Sequence, residues 1–120
     1  MEITKRFQIH IINGFPNNSH PLEFRCQSKD TDFGDKQLNV GDEFYWEFHV
    51  QFFRRTLYFC HFYWGDHLDK VFDVFNDKKM FPNCDNVMNK DHDCYWLVKD
   101  DGFYFSKFSS FGFQKTYSWT

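Results

Sequence analysis

The chain has 120 residues, 14 basic and 17 acidic side chains for a net charge of −3, 18 phenylalanines and no alanine. That length is one domain with a modest core, and a charge mixed along the chain with no basic stripe argues against nucleic acid as a partner. The lack of alanine, the best helix former, and the 23% aromatic content exclude a mainly helical protein.

Met1–Arg6 holds no apolar leader, which leaves a cytosolic chain or a mature chain whose leader has been removed. Arg6–Asn13 alternates as a strand, with Phe7, Ile9 and Ile11 on one face and Gln8 and His10 on the other. Gly14–Pro21 is a loop holding an N-glycosylation sequon at Asn17. Leu22–Ser28 reads as a second strand, Lys29–Gly34 as an acid-rich turn and Lys36–Val40 as a short strand. Glu43–Gln51 is half-buried, with Phe44, Trp46 and Phe48 inward and Glu43, Tyr45, Glu47 and His49 outward. Leu57–Trp64 is apolar or aromatic on both faces except at His61. It is too short for a membrane span, which needs about 20 residues, and predicts a mid-sheet strand covered on both sides. Gly65-Asp66-His67 turns the chain into Asp69–Asn76, the hairpin partner.

Residues 76–93 form the longest stretch without a periodic pattern, a long polar loop that a cross-link can pin. Cys94–Lys99 is a strand with Cys94, Trp96 and Val98 inward. Asp101-Gly102 suits a two-residue hairpin turn, which places Val98 opposite Phe105. Phe103–Phe108 and Phe111–Tyr117 complete about eight strands, an all-β and largely antiparallel sandwich or barrel. The pairs Lys5-Arg6, Arg54-Arg55 and Lys78-Lys79 read as solvated loops or strand ends.

Cys26, Cys60, Cys84 and Cys94 lack the close pairs of a structural zinc site. Two disulfides, and hence an oxidising compartment, are the expectation. Cys26–Cys60 with Cys84–Cys94 is one pairing; Cys26–Cys94 with Cys60–Cys84 is another. The hairpin through Gly65 carries the following loop back toward Cys60 and favours the second.

No glycine-rich phosphate loop, G-x-S-x-G or H-E-x-x-H occurs. Cys60 and His61 point to opposite faces of one strand, so they do not form a thiol–imidazole pair. Asp30, Asp32 and Asp35 read as turn caps rather than a calcium site, and Asp66, His67 and Asp69 as turn residues. No metal ligand set, cofactor or catalytic residue is expected, and the chain does not read as an enzyme.

Several stretches, taken together and in order, resemble the plant self-incompatibility stigma proteins and their S-protein homologues. They are H-I-I-N-G from His10, C-Q-S-K-D-T-D-F-G from Cys26, G-D-E-F-Y-W-E-F from Gly41, F-C-H-F-Y-W from Phe59, F-D-V-F-N-D from Phe72 and C-Y-W-L-V-K-D-D-G-F-Y-F from Cys94. Phe33 departs from the family's usual aliphatic residue, and the Cys84–Cys94 interval is long. The resemblance implies a removed signal peptide, two disulfides, a small β-sandwich with long exposed loops, and a secreted ligand. Its receptor would be a membrane protein on another plant cell, as for members that halt self pollen. It brings no catalytic residues. A monomer that does not insert into membranes is expected. Contact residues are expected at Lys29, Asp30, Thr31 and Asp32, at Asp66 and His67, and at Asn86, Asn89, Lys90, Asp91 and His92. The rival reading is a secreted toxin-like or membrane-active defence protein with a patch at Phe108, Phe111, Phe113 and Trp119. A third, a carbohydrate-binding module, would use Tyr45, Tyr63 and Tyr95 as stacking platforms.

Overall fold

The computed structural model describes residues 4–51, 54–79, 83–84 and 92–120. Among these residues nine strands follow in order: β1 (Thr4–Asn13), β2 (Leu22–Gln27), β3 (Asp32–Leu38), β4 (Glu43–Gln51), β5 (Leu57–Trp64), β6 (Leu68–Asn76), β7 (His92–Lys99), β8 (Gly102–Ser106) and β9 (Gln114–Tyr117). They form a five-stranded sheet, β4-β1-β7-β8-β9, and a four-stranded sheet, β3-β2-β5-β6. The described residues contain no helix. Pairing is antiparallel except between β1 and β7, which run parallel at the middle of the larger sheet. Strands this far apart in sequence are free of the hairpin constraint that forces antiparallel neighbours.

Alternation decides which rings face inward. Phe24, Phe62, Trp96 and Phe103 are almost wholly buried, and Phe72 packs on Phe62 at 5.3 Å, Trp96 at 4.9 Å and Phe103 at 5.0 Å. Buried side chains also bond from one sheet to the other. The Trp96 indole donates from β7 to the Val74 carbonyl in β6 at 3.1 Å, and the buried Asn13 amide donates from β1 to the Leu38 carbonyl in β3 at 2.9 Å. Each satisfies a buried group that would otherwise destabilise the core.

The structure corrects four expectations. β5 is interior to its sheet but covered on one face only: Tyr58, Cys60 and Phe62 are buried, while Tyr63 is 40% exposed. Its outward aromatic residues shield each other, His61 stacking on Tyr63 at 4.1 Å. Second, β3 begins at Asp32, inside the segment read as a turn. A bulge at Phe33-Gly34, with Gly34 at φ 76°, shifts the register against β2 and keeps the strand paired.

Third, the β7–β8 hairpin closes on Lys99 and Gly102, so Asp100-Asp101 form the turn and Val98 faces Phe103 rather than Phe105. Gly102 serves the sheet instead of the turn: a Cβ there would run into the Tyr117 carbonyl of β9. Fourth, the disulfides are Cys26–Cys60 and Cys84–Cys94. Cys26 and Cys60 are direct partners on neighbouring β2 and β5, whereas Cys94 belongs to the other sheet. The Gly65 hairpin said nothing about which sheet each cysteine joins.

Three results follow. Peptide mapping without reduction will yield the Cys26–Cys60 and Cys84–Cys94 fragments. Trp96→Phe keeps an aromatic ring but loses the indole N–H and some buried volume and strands the Val74 carbonyl, and urea unfolding should show a loss of at least about 1–3 kcal/mol. Gly102→Ala should lose a similar amount, about 1–3 kcal/mol, by forcing β9 away from β8.

Candidate recognition surface

Register fixes which loops share an end of the sandwich. Thr4 pairs with Gln51, Phe7 with His92, Tyr95 with Ser106, Leu57 with Asn76 and Gln27 with Asp32. Across the core, Phe7 meets Phe75 at 4.9 Å and Phe48 meets Tyr58 at 4.8 Å. The starts of β1, β3, β5 and β7 and the ends of β2, β4, β6 and β8 therefore lie together, with Lys29 in the turn after β2. The opposite end gathers loop 14–21 with Asn17, turns 39–42, 65–67 and 100–101, and the chain after β9. These are the Lys29 end and the Asn17 end.

The expected contact residues divide between them. Lys29 and Asp30 are exposed at the Lys29 end in a turn closed by the Ser28 amide, which donates to the Thr31 carbonyl at 2.7 Å. The half-buried Thr31 donates its own amide to the Ser28 hydroxyl at 3.1 Å. Asp32 opens β3 and is occupied within the fold. Arg25 grips it through Nε at 3.0 Å and through a second guanidinium nitrogen, and it also accepts from Gln27 at 3.2 Å and the Gly34 amide at 2.9 Å. The hydrogen bond from Arg25, then that from Gly34, holds its carboxyl down at about 2. His92 is the first residue of β7 rather than a loop residue, half-buried with its ring 4.9 Å from Phe7. Asn86, Asn89, Lys90 and Asp91 lie outside the described residues.

Asp66 and His67 are at the other end, both exposed. With Ser19, His20, Trp64, Gly65 and Leu68 they line an open cleft of about 310 Å³. Trp64 is its fixed wall: its ring stacks on Phe15 at 4.7 Å, meets His20 edge-on at 5.3 Å and donates its indole N–H to the His20 carbonyl at 3.0 Å. Asn17 sits in the same loop as His20, exposed, its side-chain oxygen accepting the Ser19 amide at 2.9 Å.

Sequence reasoning missed His10. It is buried on the outer face of the larger sheet, stacked between Tyr45 at 5.5 Å and Tyr95 at 4.3 Å. Its Nδ1 meets Glu43 and its Nε2 meets Asp93 at 2.9 Å. Burial raises the Tyr95 phenol, with Asp93 and Glu43 adding to the effect. The outward alternation of His10 was legible; its flanking by tyrosines and carboxylates needed the β4-β1-β7 order. Because Tyr45 and Tyr95 face His10, and Tyr63 faces His61, each candidate sugar platform has one ring face covered. Among the described residues no group of three or more His, Cys, Asp or Glu is arranged to hold a metal.

The sequence pattern of the plant self-incompatibility protein S1 family matches residues 8–119. The chain belongs to that family. Among curated Arabidopsis thaliana relatives, S-protein homolog 24 is 36% identical over 88 residues, 73% of this chain and 54% of the relative. S-protein homolog 27 is 38% identical over 88 residues with the same shares, and S-protein homolog 2 is 36% identical over 91 residues, 76% and 55%. The chain thus spans about half the length of these curated relatives. A solved structure of SPH (self-incompatibility protein homologue) proteins, a widespread family of small, highly stable, secreted proteins from plants, shares the fold. Its TM-score is 0.67 at 20% identity, with 93% of this chain and 92% of that chain covered.

In this S1-family sandwich the Arg25–Asp32 clamp is open to a pH test. The Asp32 carboxyl lies below its ordinary value of 3.8 in the folded chain. Its stabilisation is therefore complete above about pH 4 and disappears as pH falls toward 2. Carbon-13 NMR should find its midpoint near 2, and Arg25→Gln should return it toward 3.8; an unchanged midpoint would show that the guanidinium does not hold it.

Proposed function

We propose that this chain is a small secreted plant protein that acts as an extracellular signalling ligand, read by a plasma-membrane receptor on another cell. The observation that carries the reading is the Asn17-end cleft. Two segments far apart in sequence, Ser19-His20 and Trp64–Leu68, converge there. Its wall is rigid and its rim is polar and exposed, the arrangement in which loops on a stiff scaffold recognise partners. Family membership supports the reading, as does the secretion of the SPH proteins that share the fold. The disulfides suit an oxidising compartment, and a glycan at Asn17 would stand beside the cleft and tune access to it. Asp66 and His67 are the contact residues of this surface; Lys29 and Asp30 lie at the far end and are not needed for it.

The test is binding of fluorescent, disulfide-intact chain to plant protoplasts. Binding should saturate, yield to competition by unlabelled chain, and vanish after surface proteolysis. Asp66→Lys with His67→Asp should weaken it about tenfold or more, the scale of one lost charged contact at a recognition site. Binding that neither saturates nor responds to proteolysis would contradict a protein receptor.

A further inference from the structure

The sequence scatters its basic pairs, and the fold collects them. Lys5-Arg6 open β1, Arg54-Arg55 lie in the link from β4 to β5, and Lys78-Lys79 follow β6, all exposed and all at the Lys29 end. Lys29 and Lys107, the latter just after β8, are exposed at the same end. Three pairs and two single lysines make eight of the 14 basic residues. Arg6 leans on Glu47 at 3.5 Å and Lys79 on Asp73 at 3.9 Å, both at part-exposed sites. Of the other acids near this end, Asp32 is paired with Arg25, Asp93 contacts His10 and Asp77 accepts the Thr56 amide. Asp30 is exposed among the cations.

A second observation falls at that end. Phe108 and Phe111, 36% and 61% exposed, stack on each other at 4.6 Å in the loop from β8 to β9. Ser106 sets the loop, donating its hydroxyl to the Phe111 carbonyl at 2.7 Å and accepting the Phe108 amide at 2.9 Å. Lys107 lies over the Phe108 ring at 5.9 Å. Phe113 is half-buried and Trp119 is buried at the opposite end, so among the described residues the stacked pair forms the apolar tip of this end.

We propose that the Lys29 end docks on the surface of an anionic lipid bilayer. Lysine and arginine meet headgroup charge, and the Phe108–Phe111 pair enters the interface between headgroups and acyl chains. An acidic polysaccharide would also meet the charge. The exposed stacked pair favours the bilayer, because it gains most by leaving water for an apolar phase. Docking this way turns the Asn17 cleft outward, free for a protein partner.

Co-sedimentation of the full disulfide-bonded chain with protein-free vesicles tests this. Vesicles with 30% phosphatidylserine in phosphatidylcholine (about that fraction suffices for a strongly negative surface) should bind the chain, and binding should weaken steeply with salt. Arg54→Glu with Arg55→Glu, and separately Lys78→Glu with Lys79→Glu, should each lower affinity about tenfold or more. Phe108→Ser with Phe111→Ser should lower it as well, and Lys99→Glu at the other end should leave it unchanged. Far-UV circular dichroism confirms that each variant keeps its sheet. Equal binding to pure phosphatidylcholine, no binding to either vesicle, or charge-reversed variants that bind like the parent would overturn the proposal. So would binding to polygalacturonate, but not to vesicles, that survives Phe108→Ser with Phe111→Ser. The vesicles carry no receptor, so failure here leaves protease-sensitive cell binding standing, and failure there leaves this result standing.

Discussion

The contact on which the rest of the molecule depends is the buried indole of Trp96. Its ring lies between the sheets against Phe72 at 4.9 Å and Phe105 at 4.9 Å, and its N–H reaches the Val74 carbonyl on the opposite sheet. Aromatic rings bury much area at little rotamer cost, but area alone lets two sheets slide. A directional bond inside the core fixes their relative position, since breaking it leaves both a buried donor and a buried acceptor unpaired. Asn13 to Leu38 does the same at the other side of the sandwich. With the sheets locked, Cys26–Cys60 staples two neighbours within one sheet and Cys84–Cys94 anchors the segment after β6 to the other.

That rigidity separates two surfaces of different chemistry. The Lys29 end carries most of the chain's cations and an exposed pair of stacked phenylalanines; the Asn17 end carries a tryptophan-walled cleft, two histidines and a glycosylation sequon. Neither surface is continuous in sequence. The two are held apart by strands of up to ten residues, so substitutions at one end need not disturb the other.

Much of the fold was legible because its signals are local. Alternation in Arg6–Asn13, Glu43–Gln51 and Cys94–Lys99 predicts strands whose inward residues are the observed core, down to Ile9, Trp46 and Trp96. Relations between strands left no such trace. Gly102 looked like a turn residue; its reason is a carbonyl of β9, which no window around Gly102 contains. Cys26 and Cys94 looked equivalent because both face a core, but they face it from different sheets. His10 looked like an ordinary outward residue until β4 and β7 took their places beside β1. The three basic pairs looked isolated for the same reason: one end of a sandwich is assembled from strand termini that are distant along the chain.

The most direct measurement of that locked core is deuterium exchange of the Trp96 indole N–H, followed by proton NMR in disulfide-intact protein at neutral pH. A proton donated to Val74 inside a closed sandwich should persist as long as the slowest strand amides, since it is released only when the sheets separate. Exchange as fast as that of a free indole, with the strand amides still protected, would mean that the two sheets are not tied through Trp96.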